Sequence, residues 1–112
     1  MKKIEAIIRP GKLDEVKDAL AELGIYGITI NNVLGCGNQK GYTQIYRGQE
    51  IQTRLLPKIK LEIVTTDEKA DDLIKTIIQF AKTGEVGDGK IFVSSVEEAI
   101  RIRTNERGEN GL

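Results

Sequence analysis

The chain has no histidine, no tryptophan and a single cysteine, Cys36. Lack of histidine removes the commonest general base and metal ligand. One cysteine excludes an internal disulfide and a cysteine zinc site. Aromatics are few, two Phe and three Tyr, so the core must be built from Ile, Leu, Val and Ala. No run approaches the ~20 apolar residues of a membrane span, and the amino terminus shows no apolar signal segment; a cytoplasmic protein is expected. Net charge is missing too, since 17 basic residues balance 17 acidic ones. A non-specific nucleic-acid binder needs a basic surface to displace counterions, so no direct binding of nucleic acid is expected.

What is present is ordinary for a soluble globular protein: 112 residues, 39% hydrophobic and 30% charged, enough for one core and one domain over 1–112. Residues 3–8 alternate, with Ile4, Ala6 and Ile8 on one side, which predicts a strand that Pro10 and Gly11 break. Leu13, Val16, Leu20 and Leu23 recur at helical spacing, with Gly24 at the C-cap position. A second strand follows over about 28–36 with Ile28 and Ile30 inward. The second half repeats the plan. Ile59, Leu61 and Ile63 alternate with Lys58, Lys60 and Glu62. Thr66 or Asp67 caps a helix with an apolar face of Ala70, Leu73, Ile74, Ile77, Ile78 and Ala81, and Gly84 closes it. Ile91 to Val93 form a strand, and Ile100 and Ile102 mark a short final one. Residues 104–112 read as a mobile tail.

Strand–helix–strand twice predicts an α+β protein, the ferredoxin-like βαββαβ sandwich with both helices on one sheet face. The other face would carry Lys3, Glu5, Ile7, Thr29, Asn31, Lys60, Glu62 and Val64. A face of that mixed kind, in so small a domain, points to an oligomer. Between the halves, residues 37–57 follow neither periodicity. Residues 37–60 carry Lys40, Arg47, Arg54, Lys58 and Lys60 against Glu50 alone. A long, basic, structureless connection in a compact domain describes a protruding loop that contacts a small anion or an acidic partner.

The chemistry is expected in loop 82–90. From Gly84 to Lys90 it reads G-x-x-x-x-G-K, but Ile91 replaces the magnesium-binding Ser/Thr, and the loop follows a helix and precedes a strand, the reverse of a P-loop. Its glycines still let backbone N–H groups turn toward phosphates, with Lys90 as a point charge. Alone it would be a turn with a solvated lysine. Arg101 and Arg103, two apart on a predicted strand and therefore on one face, would complete a polyphosphate clamp. No nucleophile–base pair accompanies it, which favours binding without turnover.

Thr83 to Val96, TGEVGDGKIFVSSV, together with MKKIEAIIRP at the start, GCGNQKG at 35–41, YRG at 46–48, LPK at 56–58 and IRIRT at 100–104, resembles the nitrogen regulatory PII family along essentially the whole chain. The resemblance implies a homotrimer that binds ATP or ADP and 2-oxoglutarate and regulates nitrogen assimilation through loop 37–57. It implies nucleotide contacts at Thr29, Gly35, Gly37, Asn38, Val64, Gly87, Asp88, Gly89, Lys90, Arg101, Ile102 and Arg103, with the arginines reaching in from a neighbouring subunit. It implies 2-oxoglutarate contacts at Gln39, Lys40, Gly41 and Lys58, with Mg2+ held by Gln39, ATP and 2-oxoglutarate. Implied targets are an ammonium transporter, which would recruit the protein to the membrane, glutamine synthetase or a nitrogen transcription regulator. The chain departs from the family where relatives are modified: Ile51 replaces a tyrosine and Gln49 a serine, so neither position offers a hydroxyl. Arg54 stands where many relatives have an acid. A small nucleotide-hydrolysing enzyme and a ligand-independent scaffold are the rival functions.

Overall fold

Alternation near the amino terminus builds an inner strand of the sheet. The computed structural model describes residues 1–36, 44–46, 49–51 and 55–112, with backbone pairing alone for the two short middle segments. Strand β1, Lys2–Ile8, buries Ile4, Ala6 and Ile8 and turns Lys3, Glu5 and Ile7 to the opposite face. Pro10 and Gly11 end it in a single 3-10 turn over Pro10–Lys12, where proline's missing N–H costs nothing.

Helix α1, Leu13–Glu22, buries Val16, Ala19 and Leu20. It closes around Gly24, with the Ile25 N–H on the Leu20 carbonyl and the Gly24 N–H on the Ala21 carbonyl. This is the paired bonding of a Schellman close, and it turns Ile25 back onto the core. Strand β2 spans Thr29–Gly35. Two three-residue strands, β3 (Gln44–Tyr46) and β4 (Gln49–Ile51), pair antiparallel with each other. Strand β5, Leu56–Thr65, buries Ile59, Leu61 and Ile63. Helix α2, Asp67–Ala81, starts after an extended Thr66. Thr66 makes no side-chain capping bond, and Asp67 and Glu68 offset the helix dipole in the first turn. Strand β6 is Lys90–Ser95.

The main sheet is antiparallel with order β2-β5-β1-β6. That order, with both helices against one face, is the ferredoxin-like α+β plan expected from the sequence. The core lies between sheet and helices: Ile4, Ala6, Ile8, Ile59, Leu61 and Ile63 meet Val16, Leu20, Ala70, Leu73 and Ile77. Each fully buried aliphatic side chain there contributes about 1.5–3 kcal/mol. Among the described residues no helix is long and apolar enough to cross a membrane.

The register confirms the composition of the open face. Lys3 lies opposite Val64, Glu5 opposite Glu62, Ile7 opposite Lys60, Thr29 opposite Glu62 and Asn31 opposite Lys60. Its charges pair along the strands, Lys3 with Glu5 at 3.0 Å and Lys60 with Glu62 at 3.2 Å, and across them, Lys3 with Glu62 at 3.9 Å.

Several details differ from the sequence reading. Ile30 shares a face with buried Leu61, its partner across the ladder, yet stays 41% exposed because β2 is the edge strand. Ile78 is likewise exposed on the rim of α2. Pro57 lies inside β5 rather than in the loop, past the end of β1, where β5 has only β2 beside it. The final strand is absent. Ile100 makes one isolated bridge to Arg107, and residues 102–104 form a turn. The groups that would have formed a ladder bond locally instead: Arg101 N–H to the Glu106 carbonyl, Asn105 N–H to the Arg101 carbonyl, and Gly108 N–H to the Ala99 carbonyl. Strand alternation therefore does not set Arg101 and Arg103 on one face. Residues read as a mobile tail fold back in this turn and a 3-10 turn over Gly108–Gly111.

Candidate functional site

Loop 82–90 joins the end of α2 to the start of β6. Helix α2 does not close on Gly84. It stops at Lys82, whose backbone is extended and whose N–H still bonds the Ile78 carbonyl. The chain then wraps around one carboxylate. Asp88 Oδ2 accepts the backbone N–H of Thr83 and of Gly84, each at 2.9 Å. Asp88 Oδ1 accepts the Thr83 hydroxyl and, at 3.0 Å, Arg9 Nε. The Thr83 Oγ1 in turn accepts the Glu85 N–H at 3.1 Å, and Arg9 Nη2 donates to the Val86 carbonyl at 2.9 Å.

These donors favour the ionised form. The Thr83 hydroxyl, with the backbone amides of Thr83 and Gly84 and the Arg9 guanidinium, holds the Asp88 carboxyl well below the usual carboxylate range against the opposing effect of burial. Lys58 closes the far side of the loop by donating from Nζ to the Gly87 carbonyl. Burial pushes the Lys58 ammonium down, as does the nearby Arg9 charge, while Asp88 opposes them.

Gly89 fixes the loop to the sheet. It sits at φ 106°, and a Cβ there would overlap the Ile7 carbonyl oxygen of β1. Only glycine satisfies both conditions. Among the described residues, no backbone or side-chain acceptor pairs with the N–H groups of Gly87, Asp88 and Gly89. Consecutive unpaired amides beside Lys58, Arg9 and Lys90 make an anion-attracting concavity. The Asp88 carboxylate is already engaged by its own loop.

The expected site residues fall into two groups. Gly35 and Lys58 lie together at this end, where a Cβ on Gly35 would touch the Lys58 side chain; Gly87, Asp88, Gly89 and Lys90 join them through Lys58 and β6. Thr29 and Val64 lie at the other end of the sheet. From Lys58 to Val64 along β5 is six residues, about 20 Å of extended chain. There Thr29, Glu62 and Val64 line a cleft of about 590 Å³ with Lys3, Ala99 and Leu112. Arg101 follows directly and is held by its own segment, donating from Nη2 to the Leu112 backbone oxygen and pairing with Glu106 at 3.4 Å. Ile102 is 96% exposed in the adjoining turn, which Arg103 shares. Gly37, Asn38, Gln39, Lys40 and Gly41 lie outside the described residues. Among the described residues no cluster of three or more His, Cys, Asp or Glu could hold a metal ion.

Two residues of the site had no role assigned from sequence: Arg9 and Thr83. Arg9 follows β1, and the register puts Ile7 opposite Lys90. Pairing of the first and last strands, inherent in a βαββαβ sheet, would have brought Arg9 beside the loop before Lys90.

Comparison with known proteins gives one consistent result. The family profile described as nitrogen regulatory protein P-II matches residues 1–106. Curated relatives match end to end. Proteins named nitrogen regulatory protein P-II from Rhizobium meliloti, Klebsiella oxytoca and Pasteurella multocida are 59%, 56% and 54% identical over 112 residues, all of this chain and all of each relative.

Proposed function

The chain belongs to the nitrogen regulatory protein P-II family, and from that premise we propose that it is a ligand-gated signal transducer that reads ATP, ADP and 2-oxoglutarate and acts on proteins of nitrogen assimilation. The observation that carries the reading is the division of the site residues between the two ends of one open sheet face. The loop amides with Lys90 stand at one end, and Arg101 with Thr29 and Val64 stand about 20 Å away. Two such ends cannot meet on one ligand within a single chain. They can meet where two protomers pack side by side, which supports a homotrimer with a nucleotide cleft at each subunit boundary.

In that assembly Gly87, Asp88, Gly89 and Lys90 offer backbone N–H groups and one ammonium to the phosphates, while Asp88's side chain keeps the loop in shape. Thr29, Val64, Arg101, Ile102 and Arg103 come from the neighbour. The residues present fit a polyphosphate: amides without a partner among the described residues, at a glycine-shaped loop with cations around it. Gly35 and Lys58 border the loop, and Lys58 suits one carboxylate of 2-oxoglutarate. Gln39, with Gly37, Asn38, Lys40 and Gly41, would complete the site, with Gln39 as a ligand to Mg2+. The bound ion supplies positive charge that ATP and 2-oxoglutarate share. Among the described residues no catalytic pair accompanies these groups; the ligands act by binding, and loop 37–57 carries the result to an ammonium transporter, glutamine synthetase or a transcription regulator. The setting is the cytoplasm, with recruitment to the membrane through a transporter. Because Ile51 and Gln49 lack a hydroxyl, ligands replace covalent modification at those positions. Intact mass of protein from nitrogen-rich and nitrogen-poor cells should show no adduct on the loop.

Calorimetry with ATP, ADP and 2-oxoglutarate, with and without Mg2+, tests the proposal. Both nucleotides should bind, and 2-oxoglutarate should bind with Mg-ATP and poorly with ADP. Linkage then requires 2-oxoglutarate to tighten ATP by the same factor. Equal 2-oxoglutarate binding with either nucleotide, or brisk steady hydrolysis of ATP, would overturn it.

A further inference from the structure

We infer that Thr83 is a positioning residue for the nucleotide site, acting through Asp88 and touching no ligand. The inference rests on the phosphate-binding reading of loop 82–90 given above.

Three observations carry it. Thr83 is the first residue after α2 lets go of its last backbone bond at Lys82, so it sets the direction in which the loop leaves the helix. It meets the rest of the loop through three hydrogen bonds: its N–H and hydroxyl both go to the Asp88 carboxylate, and its Oγ1 receives the Glu85 N–H. The hydroxyl therefore serves as donor and acceptor at once, bridging the carboxylate to the next turn of backbone. The carboxylate it fixes belongs to a residue whose own N–H lies in the run of Gly87, Asp88 and Gly89, which no acceptor among the described residues pairs. Rotation of Asp88 would turn those amides with it.

Glycines at φ 89°, 102° and 106° (Gly84, Gly87 and Gly89) give the loop more than one accessible shape. Arg9 restrains it from β1, and Lys58 does so from β5. Thr83 is the brace that comes from the helix side. Serine keeps both roles of the hydroxyl, whereas valine keeps the shape and loses both.

Calorimetric titration of the full-length protein with ATP, on wild type, Thr83→Val, Thr83→Ser, Asp88→Asn and the Thr83→Val/Asp88→Asn double variant, decides the matter. Thr83→Val should bind about tenfold more weakly, the scale of losing a hydrogen bond to a charged partner, and Thr83→Ser should stay within about twofold of wild type. In the Asp88→Asn background, Thr83→Val should add little, because its route to the ligand is already broken. NMR titration of the Asp88 carboxyl should show its pKa rising in Thr83→Val and unchanged in Thr83→Ser. Wild-type affinity in Thr83→Val, an equal loss in Thr83→Ser, or fully additive losses in the double variant would each overturn the assignment. Failure of the wild-type protein to bind ATP would instead bring down the phosphate-binding reading itself, and this inference with it. Thermal melting of each variant separates loss of fold from loss of site. Should Thr83→Val fail to fold, the comparison of Thr83→Ser with Asp88→Asn still decides it, since matching losses would refute a role carried by the hydroxyl.

Discussion

At the Lys58 end of the open sheet face, side chains hold backbone: Thr83, Asp88, Arg9 and Lys58 fix a glycine loop whose amides at Gly87, Asp88 and Gly89 have no partner among the described residues. At the Val64 end, the arrangement is reversed. A backbone turn and one acid hold a side chain, with Arg101 engaged by the Leu112 oxygen and by Glu106. The first end is preorganised for an anion and pays no further ordering cost when one arrives. The second presents a cation that already has partners, so an incoming anion must displace them. On the proposed reading, one end would recognise the anion and the other would respond to it.

Substitution at Gly89 should break the first end most severely. Gly89→Ala places a methyl group into the Ile7 carbonyl at φ 106°, forcing β1 and the loop apart. Nucleotide binding should be abolished, with about 3 kcal/mol or more lost from stability in chemical denaturation. Gly84→Ala is the matched control: φ is 89° but the space beside it is open, so it should cost only about 1–2 kcal/mol of backbone strain.

The division itself can be tested by complementation. Lys90→Ala and Arg103→Ala should each weaken ATP binding by about 10- to 100-fold, the effect of losing one charge-assisted contact. Co-expressed, the two variants should recover wild-type affinity in a fraction of clefts, because some neighbours then supply both intact ends. Mixed assemblies that stay as weak as either parent would contradict a cleft built from two chains.

Acid should distinguish the ends next. Asp88 is held ionised, with its folded pKa depressed. Its stabilising contribution is therefore complete above the unfolded value near 4, and it is lost as pH falls from there through the folded value. Melting temperature followed from pH 6 to pH 2.5 should drop below about pH 4, and the drop should be shallower in Asp88→Asn. An identical acid limb in both proteins would remove Asp88 from the account.

The smallest effect belongs to the second end. Glu106→Gln weakens a partly exposed ion pair to Arg101, of a kind worth about 0–1 kcal/mol. It should leave stability unchanged and tighten ATP by no more than about threefold, measured by calorimetry at low salt.

The fold was legible because its signals are periodic and redundant. Ile4, Ala6 and Ile8 against Ile59, Leu61 and Ile63, with two amphipathic helices, define one buried face, and the register bears this out. The segment after Ile100 was misread because alternation over four residues cannot distinguish a strand from a turn. Its hydrogen bonds go to residues 105–108, and nothing in the pattern IRIRT indicates that. The reverse error occurred at 44–46 and 49–51, where paired strands of three residues are too short to display a period. In the site, the glycines and Lys90 stood out as a motif. Arg9 and Thr83 lie within the stretches MKKIEAIIRP and TGEVGDGKIFVSSV, but no role could be read for them there, because their importance comes from a long-range sheet pairing and from one hydroxyl, and neither has a sequence period. Asp88 was legible as a site residue, but its carboxylate faces its own loop, a distinction only the three-dimensional path of the chain makes.

The separation of Thr29, Val64 and Arg101 from Lys58 and Gly89 has a consequence for the chain as a component of a regulatory circuit. A receptor whose two halves reside on different molecules has no response below the concentration at which those molecules assemble, whatever the level of its ligands. In the proposed two-chain cleft, mass action would tie the two equilibria together, so each bound nucleotide would also stabilise the assembly that binds it. Abundance of the protein would then act as a second input beside the metabolites. A cell that dilutes this chain would blunt the signal without altering a single metabolite.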